Sequence, residues 1–162
     1  MRRAIALTGG AAVLFLVGAT QVPGQARLPV GMAVPGATVT QPFGCTPLLL
    51  EPYDSSCPTH HTHTGIDLAA PLGTDVHSTT PGMVVTGDDP SGAGNYVAVV
   101  LDAHVRIVYC HLAGFAVTAG TVVAAGQVIG FVGATGLATG PHVHLQVDVD
   151  GVPVDPAAFL AS

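Results

Sequence analysis

The residues most able to do chemistry are histidines that recur beside strand-like segments. The chain has 162 residues and eight histidines. His142 and His144 are separated by one residue, and on a strand such residues point to the same face, about 7 Å apart. Both imidazoles would then face one site, while Val143 points into the core. This spacing suits one metal ligand beside one acid–base group, although two solvent-facing imidazoles would give the same pattern.

Two further clusters supply similar groups. The segment 63–67 (HTGID) adds the imidazole of His63 and the carboxylate of Asp67. Zinc takes nitrogen and oxygen ligands from these residue types, and its catalytic sites combine three protein ligands with an open position. Asp67 precedes apolar residues, where an unpaired carboxylate is costly unless a cation lies nearby. A capping or surface pair is the alternative interpretation of this segment.

The third cluster is the segment 109–112 (YCHL), in which strand alternation places Tyr109 and His111 on one face. Taken singly, His111 is more typical of a satisfied core or edge histidine. The Gly-rich segment 133–141 (GATGLATGP) would let the backbone approach a ligand closely. Together the three clusters bring four imidazoles and a carboxylate to strands or their edges, and they predict a mononuclear metal site.

The elements that position these clusters are predicted to be short strands. The chain contains 21 glycines and 13 prolines, and no long segment shows a helical period of 3.6 residues. Turn signals at 102–103 and 150–151 favour hairpins, and residues 156–160 are predicted as one helical turn. The fold class is therefore mainly antiparallel β. The predicted strands are 37–43, 66–69, 75–79, 83–86, 96–101, 105–112, 122–123, 127–132 and 143–149.

A faint internal repeat accompanies these strands. Residues 82–87 (GMVVTG) resemble residues 126–133 (GQVIGFVG), and a Gly-Thr pair precedes each segment. A duplicated hairpin unit is one interpretation. The general similarity of hairpins rich in Val and Gly is the other.

The N-terminus is typical of a secretory signal. Two arginines follow Met1, residues 4–17 are uncharged and mostly apolar, and small residues lie before a cleavage point after Ala19. We predict a signal peptide over 1–19, a linker over 20–36 and one domain over 37–162. The protein is then extracellular, in the cell wall or periplasmic, and an uncleaved N-terminal anchor is the alternative.

Export also makes the cysteines informative. Cys45 and Cys57 flank a loop rich in Pro and Ser, and in an oxidising compartment we expect a disulfide between them. Cys110 is interpreted as a buried strand residue. The formal charge of −6, with only 9% charged residues, leaves no basic stripe for a nucleic-acid partner. A membrane partner is expected only if the N-terminal segment is retained, and we expect a monomer.

The ordered set of motifs resembles the M23 (lysostaphin/LytM-type) zinc metallopeptidases from about Gln41 to Leu160. The resemblance implies a β-sheet core of the duplicated-hybrid-motif type. It also implies one Zn²⁺ bound by His63, Asp67 and His144. His111 and His142 would then be a catalytic pair that transfers protons. The matching segments are 63–74, 94–97, 109–112, 120–123, 126–130, 139–145 and 151–156.

The implied function is zinc-dependent hydrolysis of peptide bonds in bacterial peptidoglycan, in crosslinks or interpeptide bridges. The resemblance does not decide which of the two catalytic histidines is the general base. Gln146 stands where the family often has an acidic residue. His60 and His61 crowd the first ligand, where they could bind substrate, compete for metal or be solvated.

Three alternatives remain open at this point. A non-catalytic relative would bind peptidoglycan or activate another hydrolase, but no ligand or catalytic imidazole is missing here. A sugar-phosphotransferase carrier would need no metal triad, and Asp67, the export signal and the disulfide argue against it. A wall hydrolase of a phage would share the chemistry of a bacterial enzyme.

Overall fold

The structure, a computed structural model, describes residues 27–162, so the predicted signal peptide and the first part of the predicted linker lie outside the described residues. A 3₁₀ turn, Val30–Met32, precedes thirteen strands and one short helix, α1 (Pro156–Leu160). The strands are β1 (Thr38–Gln41), β2 (Gly44–Thr46), β3 (His61–His63), β4 (Ile66–Ala69), β5 (Asp75–His77), β6 (Gly82–Asp89), β7 (Gly94–Val100), β8 (Val105–Leu112), β9 (Gly114–Phe115), β10 (Val122–Val123), β11 (Val128–Phe131), β12 (His142–Val149) and β13 (Val152–Val154).

The largest sheet has eight strands in the order β1-β4-β12-β8-β7-β6-β10, with β13 paired to β12. A three-stranded sheet (β5-β11-β9) and a two-stranded sheet (β2-β3) complete the described part of the chain. The pairings among these strands are antiparallel. The predicted mainly antiparallel β class is confirmed, as is the single helical turn near the C-terminus.

The faint sequence repeat has a structural counterpart. Each of the two repeat units contributes two strands, and each strand pairs with a strand of the other unit. In the first unit β5 precedes β6, and in the second β10 precedes β11. β5 pairs with β11, and β10 pairs with β6. The two Gly-Thr pairs also match, because Gly73 and Gly120 both have φ of 84° and both donate their N–H to a carbonyl of the opposite unit. These matching contacts favour the duplicated unit over a general similarity of hairpins.

Residues 28–36 pack against the sheets, although their composition predicts a linker. Ala33 and Val34 are fully buried in the core. The backbone N–H of Leu28 donates to Thr79, and that of His77 donates to Ala33. Proline and glycine in this segment form a tight turn that packs on the domain. Its composition is typical of a linker, but the segment is part of the packed structure.

The segment 44–58 is more ordered than the predicted loop. Its first residues form β2, which pairs with β3, a strand that the sequence pattern did not predict because His61–His63 lacks apolar alternation. The predicted disulfide joins Cys45 to Cys57 in this region. Cys110 is buried on β8, as predicted, and burial raises the pKa of its thiol to about 12. Within residues 27–162, no helix is long and apolar enough to cross a bilayer.

Reduction of the disulfide is expected to lower the melting temperature by roughly 10 °C. Closing a loop with a sequence separation of 12 removes about 3 kcal/mol of unfolded-chain entropy. The test is a thermal melt with and without reductant, combined with thiol titration in denaturant. We expect one thiol before reduction and three after it. Three thiols without reductant, with an unchanged melting temperature, would rule the bridge out.

Candidate metal centre

Three strands converge on the predicted ligands. His63 ends β3, and a short turn leads to Asp67 on β4. β12 lies between β4 and β8, and its register places His144 directly opposite Asp67. Its apolar side chains Val143 and Leu145 are buried on the other face, so the core anchors the strand while its imidazoles face the site.

The donor atoms of His63, Asp67 and His144 form a compact triangle. His63 Nε2 lies 3.2 Å from Asp67 Oδ1 and 2.9 Å from His144 Nδ1, and His144 Nδ1 lies 3.1 Å from Asp67 Oδ1. A tetrahedral zinc ion with ligand bonds of about 2.0–2.1 Å separates its donors by about 3.3 Å. The spacing of the three atoms therefore fits one small divalent cation.

The hydrogen-bond partners of the two imidazoles direct lone pairs into this triangle. His63 Nδ1 lies 2.9 Å from the carbonyl of Pro42. Since a carbonyl only accepts, Nδ1–H donates and Nε2 carries the lone pair. His144 Nε2 faces Gln146 Oε1 at 3.4 Å, which leaves the lone pair on Nδ1. Two nitrogen lone pairs and a carboxylate oxygen thus face one another, an arrangement that a cation stabilises.

The charge of Asp67 suits the same role. Burial by itself raises the pKa of this carboxyl, but the neighbouring imidazoles of His144 and His63 outweigh that effect and hold the pKa well below its usual range. Asp67 is therefore ionised at neutral pH. A half-buried, ionised carboxylate between two imidazoles is a hard anionic ligand suited to a metal ion.

His111 and His142 lie beside the triangle with their rings against each other. Their ring centroids are 4.7 Å apart, and His142 Nε2 is 3.7 Å from Asp67 Oδ1. The Nδ1–H of His111 donates to the Thr135 carbonyl at 2.9 Å, and that of His142 donates to the Gly140 carbonyl at 2.8 Å. Each ring therefore keeps an Nε2 lone pair that can accept a proton.

The backbone at His111 is held in a conformation unusual for a residue other than glycine. Its φ is +63°, in the left-handed region. A hydrogen bond from its N–H to the Ala93 carbonyl accompanies the side-chain bond to Thr135. The loop 133–141 approaches closely here, and a side chain at Gly133 would overlap the backbone of His111. Of the two predicted catalytic residues only His111 has a positive φ, although His60 and Asp150 also adopt this conformation elsewhere in the described chain.

Burial also sets the protonation of His111. It lowers the pKa of the imidazole, and the positive charges that His142 and His144 can carry lower it further, whereas the bond to Thr135 opposes the effect. The ring is accordingly neutral at neutral pH, as a proton acceptor must be.

Gly65, in the HTGID segment, makes room for a ligand. A Cβ at this position would lie 2.7 Å from His144 Nε2 and 2.5 Å from the Leu145 carbonyl oxygen. Any larger residue would push the imidazole of His144 out of the triangle. Sequence patterns did not predict this role of Gly65, and only its place between His63 and Asp67 hinted at it.

The site opens into a cleft of about 280 Å³ whose walls are partly apolar. Leu48, Leu50 and Glu51 line the cleft from the disulfide-braced segment, and Leu137 lines it from the Gly-rich loop. Asp67, His111, His142 and His144 also line it.

The remaining histidines lie outside the triangle. His60 stacks on Tyr53, with ring centroids 5.9 Å apart, and His61 Nδ1 bonds to the Glu51 carbonyl at 2.7 Å. His77 bonds to the Gly126 carbonyl, and His104 pairs with Asp150 at a hairpin turn. Within the described residues, the group that could hold a metal ion is therefore His63, Asp67 and His144. The carbonyls of Pro42, Thr135 and Gly140 were not identified from sequence, since any residue type supplies one.

Three protein donors, an open cleft and two further imidazoles are features of metal-dependent hydrolases. Residues 61–156 match Peptidase family M23, so the chain belongs to this family. It is 42% identical over 100 residues to the DD-carboxypeptidase/endopeptidase Mpg of Neisseria meningitidis, covering 62% of this chain and 23% of the relative.

Two further matches agree with this assignment. The peptidoglycan DD-endopeptidase ShyB of Vibrio cholerae is 41% identical over 93 residues, covering 57% of this chain and 22% of the relative. The crystal structure of a zinc-containing peptidase from Vibrio cholerae superposes with a TM-score of 0.66 at 35% identity, covering 82% of this chain and 39% of that one. This chain thus spans about a quarter of the length of the curated relatives it matches.

Proposed function

We propose that this domain is a zinc-dependent endopeptidase that hydrolyses peptide bonds in bacterial peptidoglycan. The observation that carries the proposal is the convergence of two imidazole lone pairs and an ionised carboxylate within 3.2 Å of one another, beside two further imidazoles. The relative named as a peptidoglycan DD-endopeptidase and the zinc-containing structural neighbour support the substrate and the metal.

In this proposal His63, Asp67 and His144 hold the zinc ion. When bound, zinc supplies a Lewis acid that polarises the scissile carbonyl and makes water a better nucleophile near neutral pH. In their neutral forms His111 and His142 carry the lone pair on Nε2, because each Nδ1–H donates to a backbone carbonyl. One of them accepts the proton of the attacking water, and the pair then returns a proton to the leaving amine. Their backbone carbonyl partners keep both rings oriented during this transfer.

We also propose that the protein acts outside the cytoplasm as a monomer. The predicted signal segment over residues 1–19 supports export. The Cys45–Cys57 disulfide supports an oxidising compartment. N-terminal anchoring would place the same domain at a membrane surface, where peptidoglycan is equally accessible.

The test is digestion of purified peptidoglycan by the purified chain, with mass spectrometry of the released fragments. We expect new amine ends that appear with zinc, vanish with a chelator and return when zinc is restored. The fragment masses identify the bond, because a cut in a crosslink and a cut in an interpeptide bridge release different peptides. The chelated sample is the matched control for binding without cleavage.

Two results would contradict the proposal. Fragment release that persists after complete removal of metal would exclude a metallopeptidase. A folded, zinc-loaded chain that binds peptidoglycan and releases no fragments would instead indicate a binding protein or an activator of another hydrolase.

A further inference from the structure

We propose that Gln146 is a positioning residue for the zinc ligand His144, and that its amide is matched to the neighbouring Asp148. Gln146 stands where the family often has an acidic residue, and the sequence alone did not show what the amide contacts. Because it concerns a zinc ligand, the inference rests on the proposed function. It extends that proposal to groups that do not touch metal or substrate.

The first observation is that β12 aligns three side chains on one face. His144, Gln146 and Asp148 alternate with the buried Val147 and Leu145. β8 places Arg106 directly opposite Asp148. A row of polar groups therefore leads along the strand from the metal triangle to an exposed arginine.

The second observation is that the hydrogen bonds along this row have a defined direction. Arg106 Nε donates to Asp148 Oδ2 at 2.8 Å. Gln146 Nε2 donates to Asp148 Oδ1 at 2.7 Å. Asp148 is 2% exposed, so both carboxylate oxygens depend on these donors. The carboxylate thereby orients the Gln146 amide, with its nitrogen toward Asp148 and its oxygen toward the metal triangle.

The third observation is what the oriented oxygen contacts. Gln146 Oε1 accepts from the Thr64 hydroxyl at 2.7 Å and faces His144 Nε2 at 3.4 Å. Thr64 follows the ligand His63, so one oxygen links the β3–β4 turn to β12. An acceptor at this point favours the His144 tautomer with hydrogen on Nε2, which directs the Nδ1 lone pair to the metal.

The pairing of Gln146 with Asp148 follows from the hydrogen-bond donors and acceptors that each side chain offers. An amide offers a donor to Asp148 and an acceptor to His144 and Thr64 at the same time. An ionised glutamate would offer only acceptors and would oppose the Asp148 carboxylate. A glutamate suits this position only when residue 148 becomes a donor, and asparagine would supply one while still accepting from Arg106.

The experiment measures zinc affinity by competition with a chromophoric chelator, in the full chain. We expect Gln146→Leu to weaken zinc binding by about 10–100-fold. We expect Gln146→Glu to weaken it as well, and the double variant Gln146→Glu/Asp148→Asn to recover most of the loss. Gln127→Glu introduces the same change at an exposed turn and is the matched control, with zinc affinity expected to stay unchanged.

A second readout separates positioning from general stability. In the cobalt-substituted protein, the visible absorption bands report ligand geometry, and we expect them to shift in Gln146→Leu and to return in the double variant. The melting temperature of each metal-free variant shows whether it folds. If Gln146→Leu does not fold, the comparison of Gln146→Glu with the double variant still decides.

The outcomes are distinct from those that test the proposed function. Equal zinc affinity and an unchanged cobalt spectrum in folded Gln146→Leu would overturn the inference while leaving the zinc site intact. A double variant no better than Gln146→Glu would overturn the matched pair. Failure of the unaltered chain to bind zinc would contradict the proposed function itself.

Discussion

Replacing His144 with alanine is expected to abolish both zinc retention and peptidoglycan hydrolysis. The change removes one of three donors that lie within 3.2 Å of one another, and it leaves only His63 and Asp67. Loss of groups that merely orient a metal ligand costs about 10–100-fold in affinity, so loss of the ligand itself should cost more. The measurement is metal content after dialysis, together with fragment release from peptidoglycan.

The matched control is His104→Ala. This imidazole is exposed and pairs with Asp150 at a hairpin turn near the far end of β12. Its removal tests for nonspecific effects of losing a histidine, and both zinc content and activity should remain. Zinc retained by His144→Ala would contradict the ligand assignment.

His142→Ala is expected to retain zinc and to lose activity by about 10²–10⁴-fold. Its Nε2 lies 3.7 Å from Asp67 Oδ1, outside the tighter triangle, and its Nδ1–H is held by the Gly140 carbonyl. In the proposed function this side chain contributes proton transfer rather than metal binding, and the expected loss is in the range typical of general acid–base catalysis. Metal content and the rate of fragment release test the two parts separately.

A second variant tests His111, the other histidine of the predicted catalytic pair. His111 has a positive φ, which asparagine tolerates better than alanine does. His111→Asn should therefore keep the backbone and the zinc ion while lowering activity by a similar factor. Zinc loss in His142→Ala combined with zinc retention in His144→Ala would reverse the roles assigned to the two histidines of β12.

Sequence patterns predicted much of the fold because a strand produces a local pattern of apolar residues. The alternation along residues 143–149 and the run 105–112 correspond to β12 and β8, the two central strands beside the site. The patterns were less informative where polar or Pro-rich residues form structure. β3 was not predicted, and Ala33 and Val34 pack into the core from a segment predicted as a linker. In both places long-range packing outweighed local composition.

The types of the candidate site residues and their order along the chain were determined by the sequence alone. Alternation on a strand places His142 and His144 on one face, and the ordered motifs support membership in family M23, which residues 61–156 confirm. The positions of Cys45 and Cys57 likewise predicted the disulfide. These features depend on residue identity and short spacings, which can be read from the sequence without the tertiary structure.

Only the tertiary structure decided how these groups meet. Asp67 and His144 are 77 residues apart, and the register between β4 and β12 brings them opposite each other. The nitrogen that each imidazole turns to the site depends on the Pro42 carbonyl and on Gln146, which lie on other segments or farther along the strand. Register and hydrogen-bond direction arise from packing of the whole sheet, because each strand can position its side chains only relative to its neighbours.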